Sequence, residues 1–187
     1  MIRKNLSGAD NQQERSREYK RGYVTGLVDG EGSFHIAFQV RKDLPLGISI
    51  IPEFHVSQHQ ESLVTLKLVK DVLGCGYIKP NHSHSRDLTH VFVVRDRHDL
   101  VTKIIPFFKY NKFITSKRKD FKVFAQVVNL MQSDMHRSID GIKKIVNLAY
   151  SMNRAGARRT RSKKELLYSL KSSETIWRTR LKKAKKK

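Results

Sequence analysis

The stretch GYVTGLVDGEGSF, Gly22 to Phe34, combines two carboxylates with glycines spaced four residues apart. Gly22, Gly26 and Gly30 fall on one face of a helix and let another backbone approach closely. Each weakens the helix by about 0.5–1 kcal/mol relative to alanine, so three together need a compensating contact. A tightly packed helix pair supplies one; simple burial of a glycine-rich helix in the core is the alternative. Asp29 and Glu31 lie at the C-terminal end of this helix, where the macrodipole is negative and carboxylates are disfavoured. In a chain short of acids, that placement suggests a hard divalent metal held by oxygen ligands, a backbone carbonyl among them. Mg²⁺ there would activate water and offset charge on a phosphorane-like transition state. For either acid, a surface salt bridge with one of the many Lys or Arg residues is the other reading.

Positioning these residues falls to elements that the hydrophobic pattern outlines. Residues 1–17 are polar and mixed in charge, without apolar periodicity, and read as a loose arm, with the fold starting near Glu18. Tyr19 to Val28 has helical spacing and DGEGS is its stop. SFHIAFQVR then alternates, with Phe34, Ile36, Phe38 and Val40 on one side of a half-buried strand. ISIIPEFHVSQ places Ile48, Ile50, Phe54 and Val56 inward, and Pro52 suggests an edge or a bulge. A helix over ESLVTLKLVKDVLG stops at Gly74. GYIKPN and THVFVV are shorter strands, and the helical segments DLVTKIIPFF, SKRKDFKVFAQVVNLM and SIDGIKKIVNLAYSMN follow. The pattern is α+β: a four-stranded antiparallel sheet with one apolar face under helices and one polar face left over.

The chain has 187 residues, enough for one compact domain with appendages, and 38 Lys and Arg against 17 Asp and Glu give a formal charge of +21. Such an excess opposes compaction unless a polyanion neutralises it, so nucleic acid is the default partner, whether for an enzyme or a passive binder. From Arg154 onward, 14 Lys or Arg against 2 Glu give residues 154–187 a net +12, the mark of a basic tail meeting phosphate. A short helix through KKELLYSLK and an anchor at Trp177 are possible within it. Cys75 is the single cysteine, which excludes an intramolecular disulfide and a cysteine-rich zinc site. His82, His84 and His90 lack a regular fourth ligand for zinc. No apolar run approaches a membrane span and MIRKNLSGADNQQERS lacks the apolar core of a signal peptide, so no membrane partner is expected.

VTGLVDGEG, Val24 to Gly32, resembles the LAGLIDADG motif of homing endonucleases. Gly26, Leu27, Asp29 and Gly32 are identical to it, Val24 and Val28 conservative, and Thr25, Gly30 and Glu31 variants. With the EFHVSQ strand, the LGCGYIKP turn and IIPFF before a Lys-rich helix, the resemblance covers residues 18 to about 153 and implies an αββαββα fold. It implies that two motif helices pack together through Gly22, Thr25, Gly26 and Asp29. It also implies that the acid at the eighth motif position, Glu31, binds Mg²⁺ (or Mn²⁺) beside the Gly30 carbonyl. No second DG[DE]G occurs in the chain, so the resemblance is to the single-motif, homodimeric branch, reading a roughly palindromic target.

By the same resemblance Gln58 positions the water and Lys117 stabilises the transition state, with Lys112 and Lys119 as close competitors; the helix after Gln58 has Glu61 and Ser62 where the family often has a basic residue. The outward strand residues His35, Gln39, Arg41, Ser49, His55, Tyr77, Lys79, Asn81 and His90 become the double-stranded DNA surface. The implied activity is a sequence-specific, metal-dependent endonuclease making a staggered double-strand break in intron homing. It would be intracellular with its DNA, in a bacterial or archaeal cytoplasm or an organelle matrix. A non-cutting DNA- or RNA-binding protein, a maturase of intron RNA or a regulator, is the alternative; retention of Glu31 favours cutting.

Overall fold

The computed structural model describes residues 8–82, 88–153 and 160–170 together with Thr175 and Arg178, with side chains from Gln12 onward. The elements in chain order are α1 (Gly8–Glu31), β1 (Gly32–Val40), β2 (Ile48–His59), α2 (Leu63–Leu73), β3 (Tyr77–Pro80), β4 (Thr89–Val94), α3 (Arg97–Asp99), α4 (Ile105–Tyr110), α5 (Lys117–Gln132) and α6 (Ile139–Ala149). The four strands form one sheet in the order β1-β2-β4-β3, the α+β arrangement expected from the alternation of periods. Two compact units share the chain, one from residues 1–33 with 55–117 and the other from 34–54 with 118–187.

In the first unit α1 buries Val24 and Val28 and packs against α2, whose buried side is Leu66, Val69 and Leu73. The α2 helix ends on Gly74 at φ 64°, its N–H bonded to the Lys70 carbonyl at 2.8 Å. Gly76, at φ 77°, is required twice over, because a Cβ there would lie 2.7 Å from both the Phe92 ring and the Val93 carbonyl. Between α3 and α4 the chain takes a π turn, Leu100–Ile104. Pro106 follows in the first turn of α4, where its missing N–H cannot sustain the ordinary ladder.

The second unit is organised around Phe34, which stacks on Phe54 at 5.1 Å and meets Phe121 and Phe124 of α5 at 5.3 and 5.1 Å. Asn153 ties the segment after α6 to this centre: its N–H reaches Asp120 and its side-chain amide donates to the Phe34 carbonyl, both at 3.0 Å. Ser138 caps α6, accepting from the Gly141 N–H at 3.1 Å.

Three expectations need correction. Residues 8–17 are helical rather than a loose arm. No Gly or Pro interrupts Ala9 to Arg21, and extending a helix already nucleated by Val24 and Val28 needs no buried face of its own. The basic tail is not uniformly an appendage: residues 163–170 are helical, and Leu166 and Leu170 are buried with Ile48, Ile142 and Val146. The i, i+4 spacing of those two leucines supplies an apolar face that the surrounding charge obscured. Trp177 lies outside the described residues. Pro52 does not mark the sheet edge: it occupies a buried inward slot of β2, which has neighbours on both sides.

Candidate functional site at the end of α1

The last carbonyls of a helix lack intrahelical partners and carry the negative end of its dipole. At the end of α1 an ammonium group fills that role. Lys117 Nζ donates to the carbonyls of Val28 at 2.7 Å and Gly30 at 3.2 Å, and to that of Gly32. Gly32 permits the immediate turn from α1 into β1, since a Cβ there would lie 2.6 Å from the Val28 side chain and 2.7 Å from its carbonyl. Lys112 and Lys119, the competing candidates, are exposed and take no part in this cluster.

A second set of bonds holds the loop that delivers Lys117. One Asp29 carboxylate oxygen accepts the backbone N–H groups of Ile114 at 2.9 Å and Thr115 at 3.1 Å, and the other accepts the Thr115 hydroxyl. The Thr115 oxygen in turn accepts the Lys117 N–H at 3.2 Å. On its other side the loop is anchored by buried Phe113, stacked on Phe108 at 4.8 Å. Burial pushes the Asp29 carboxyl upward, but the Thr115 hydroxyl, the two loop N–H groups and the Lys117 charge outweigh it and hold the group below its ordinary value. Both oxygens of Asp29 thus accept hydrogen bonds from the loop that carries Lys117, a role the sequence reading of this acid did not include.

Glu31 is the acid left available: exposed, at the last position of α1, between the Gly30 and Gly32 carbonyls that Lys117 engages. Among the described residues no three His, Cys, Asp or Glu side chains gather as a metal cage, so the zinc reading of the histidines gains no support; His84 is outside the described residues. One carboxylate with a backbone carbonyl fits Mg²⁺, a hard ion that takes one or two carboxylates and completes its shell with water and substrate phosphate. Gln58 is half-buried near the end of β2 and does not join the bonds around Asp29 and Lys117.

Gly22, Gly26 and Gly30 are exposed, and a Cβ on any of them would meet nothing within 4 Å. They are not buried in this chain's own core. Tyr19 and Tyr23 project from the same side of α1, 73% and 39% exposed. Thr25 is half-buried on the flank, its hydroxyl donating to the Arg21 carbonyl at 2.8 Å.

The strand residues expected to face DNA do not all share a face. Tyr77 pairs with Val93, Lys79 with Val91 and Pro80 with His90 in the antiparallel β3–β4 register. Directly opposed residues point to the same side. Tyr77 and Lys79 thus share their side with Val91 and Val93, and Asn81, bonded through its N–H to the Thr89 carbonyl at 2.9 Å, continues it. His90 points the other way. Thr89 and Val91 take its place, and a strand buried on both sides hid this from a reading based on polarity. In the second unit His35 and Gln39 alternate with the inward Phe34, Ile36 and Phe38, Arg41 follows them, and Ser49 alternates with Ile48. Arg41 pairs with Asp43 at 2.5 Å on the exposed hairpin, an ion pair that a phosphate can replace at little cost. His55 is half-buried on the outward parity of β2 in the first unit.

At the end of α1 the chain thus sets an exposed acid beside carbonyls held by a lysine and turns at once into the first strand of the four-stranded sheet. The chain belongs to the LAGLIDADG endonuclease family, whose model matches residues 24–128. The archaeal intron-encoded homing endonuclease I-Vdi141I, solved in complex with DNA, superposes with a TM-score of 0.75 at 28% identity over 84% of this chain and 98% of its own. The homing endonuclease I-ApeII of Aeropyrum pernix is 29% identical over 78% of this chain and 87% of its own length. The probable intron-encoded endonuclease 3 of Neurospora crassa is 33% identical over 69% of this chain, which spans 24% of that relative's length. No helix among the described residues is long and apolar enough to cross a membrane.

Proposed function

We propose that the protein is a sequence-specific homing endonuclease that makes a staggered double-strand break in a long, roughly palindromic DNA site. The observation that carries this reading is the Lys117 ammonium held against the Gly30 carbonyl at 3.2 Å, beside exposed Glu31. A cation fixed at that point is placed to stabilise charge developing on a scissile phosphate. Glu31 and the Gly30 carbonyl would hold Mg²⁺, or Mn²⁺ in its place; when bound, the ion supplies Lewis-acid stabilisation of the phosphate and an activated water. Gln58 orients that water. Tyr77, Lys79, Asn81, His55, His35, Gln39, Arg41 and Ser49 grip phosphates and read base edges.

The active form is a homodimer. The exposed Gly22–Gly26–Gly30 side of α1 fits a second copy of itself, and the near-complete match to I-ApeII contrasts with the 24% of the Neurospora relative that one copy spans. Each copy then carries one site, aimed at one strand of the duplex. Such a protein acts in the compartment that holds its target DNA.

Incubating the protein with a library of long randomised duplexes and Mg²⁺, then sequencing the cut ends, tests the proposal. Enrichment of one site with staggered ends is expected. Glu31→Gln should abolish cutting while leaving affinity for that site near wild type. Selective binding with no cutting by the wild type would instead establish a maturase or regulator.

A further inference from the structure

Lys117 reaches α1 across 85–89 residues of sequence to the carbonyls it engages. A lysine side chain has four rotatable carbons, so pinning its ammonium requires its backbone to be fixed first. The bonds that fix it converge on one carboxylate and one hydroxyl. Asp29 holds the Ile114 and Thr115 N–H groups and the Thr115 hydroxyl, and the Thr115 oxygen then receives the Lys117 N–H, so the chain of bonds runs Asp29–Thr115–Lys117 without interruption. Phe113 anchors the loop against Phe108, but neighbouring Ile114 is 96% exposed and has no packing of its own to set the register. The geometry points to Asp29 and Thr115 as positioning residues that set the Lys117 ammonium at the end of α1.

The assignment rests on the proposed role of Lys117 in cleavage, yet it has a readout independent of that role. Reductive methylation of the full chain followed by mass spectrometry measures how readily each lysine amine is reached. Lys117 in the wild type should be modified several-fold more slowly than Lys112 and Lys119. Thr115→Val keeps the shape and removes the hydroxyl, so it should bring Lys117 to the rate of its neighbours; Thr115→Ser, which keeps the oxygen, should restore protection. Asp29→Asn should act in the same direction as Thr115→Val. Equal Lys117 labelling in wild type and Thr115→Val, with circular dichroism showing both folded, would overturn the inference.

Single-turnover cleavage then separates this inference from the function it builds on. Thr115→Val should slow cutting at saturating DNA by about 10–100-fold with the dissociation constant for DNA unchanged. In a Lys117→Ala background it should cost nothing further, because both changes remove the same positioned cation. Full additivity of the two substitutions would sink the positioning role. Loss of protection with no loss of rate would leave the positioning intact and remove Lys117 from the chemistry.

Discussion

Lys117 Nζ lies 2.7 Å from the carbonyl oxygen of Val28, a residue buried in the core at the end of the motif helix. The bond makes a side chain distant in sequence the C-terminal cap of α1, a position that neither Lys112 nor Lys119 takes. Lys117→Ala should lower the single-turnover rate by about 10²–10³-fold, the range for removing one group that stabilises developing charge. Lys112→Ala and Lys119→Ala should change it by less than about threefold, through the field alone. Quench-flow comparison of the three variants checks this, and a dominant effect at Lys119 would reassign the cation.

Because nothing in the chain lies within 4 Å of a Cβ at Gly26, Gly26→Leu should leave the monomer folded and even favour its helix by up to about 0.7 kcal/mol. Two copies of α1 could then no longer approach through that side. Sedimentation velocity should show a dimer for the wild type and a monomer for the variant, with unchanged far-ultraviolet circular dichroism. An intact dimer in Gly26→Leu would place the interface elsewhere.

The local code was the legible part of this molecule. Period-two runs marked β1 and β4, Gly74 marked the end of α2, and the glycine spacing marked a side of α1 that the chain itself leaves open. What escaped was decided at long range. The loop bonds of Asp29 were not legible because its partners, Ile114 and Thr115, are 85 and 86 residues away; the triplet Thr115-Ser116-Lys117 did offer a signal, since a threonine two residues before a lysine can take that lysine's N–H. His90 escaped because polarity cannot assign a face in a strand buried on both sides, and register can.

That register yields a test on DNA. Lys79→Ala should weaken binding and reduce the slope of log K against log salt by about 0.9 if its partner is a phosphate, or relax preference at one base pair if it reads an edge. His90→Ala should do neither, since it faces away from Tyr77 and Lys79. Equilibrium binding over a salt series with single-base variants of the selected site distinguishes the two. Altered base preference in His90→Ala would contradict the pairing of His90 with Pro80.

Burial, with Asp99 nearby, pushes the Cys75 thiol up to about 11 from a reference of 9.0. A raised acid pKa keeps the neutral form at working pH, so at pH 8 the reactive thiolate is roughly a hundredfold scarcer than in the unfolded chain. Native protein should react with a thiol reagent at no more than about a hundredth of its rate in denaturant. The folded state's advantage falls as pH rises above 9, where an unfolded Cys75 ionises and the folded one does not. Rapid native labelling at pH 8 would show that Cys75 is reached by local opening.

Leu166 and Leu170 are 1% and 0% exposed, packed with Ile48, Ile142 and Val146, whereas residues 171–187 hold eight Lys or Arg against Glu174. Ending the chain at 170 should therefore weaken binding at all sequences, flattening the salt dependence by roughly 0.9 for each phosphate no longer neutralised. Ending it at 153 should do this and also destabilise the fold, since truncating one buried leucine to alanine already costs about 2–5 kcal/mol. Leu166→Ala in the full chain isolates the packing part: lower stability in urea, unchanged salt slope. The selected target should be the same for all three variants. A different site chosen by the chain ending at 170, at fixed salt, would put base-reading residues in the segment beyond it.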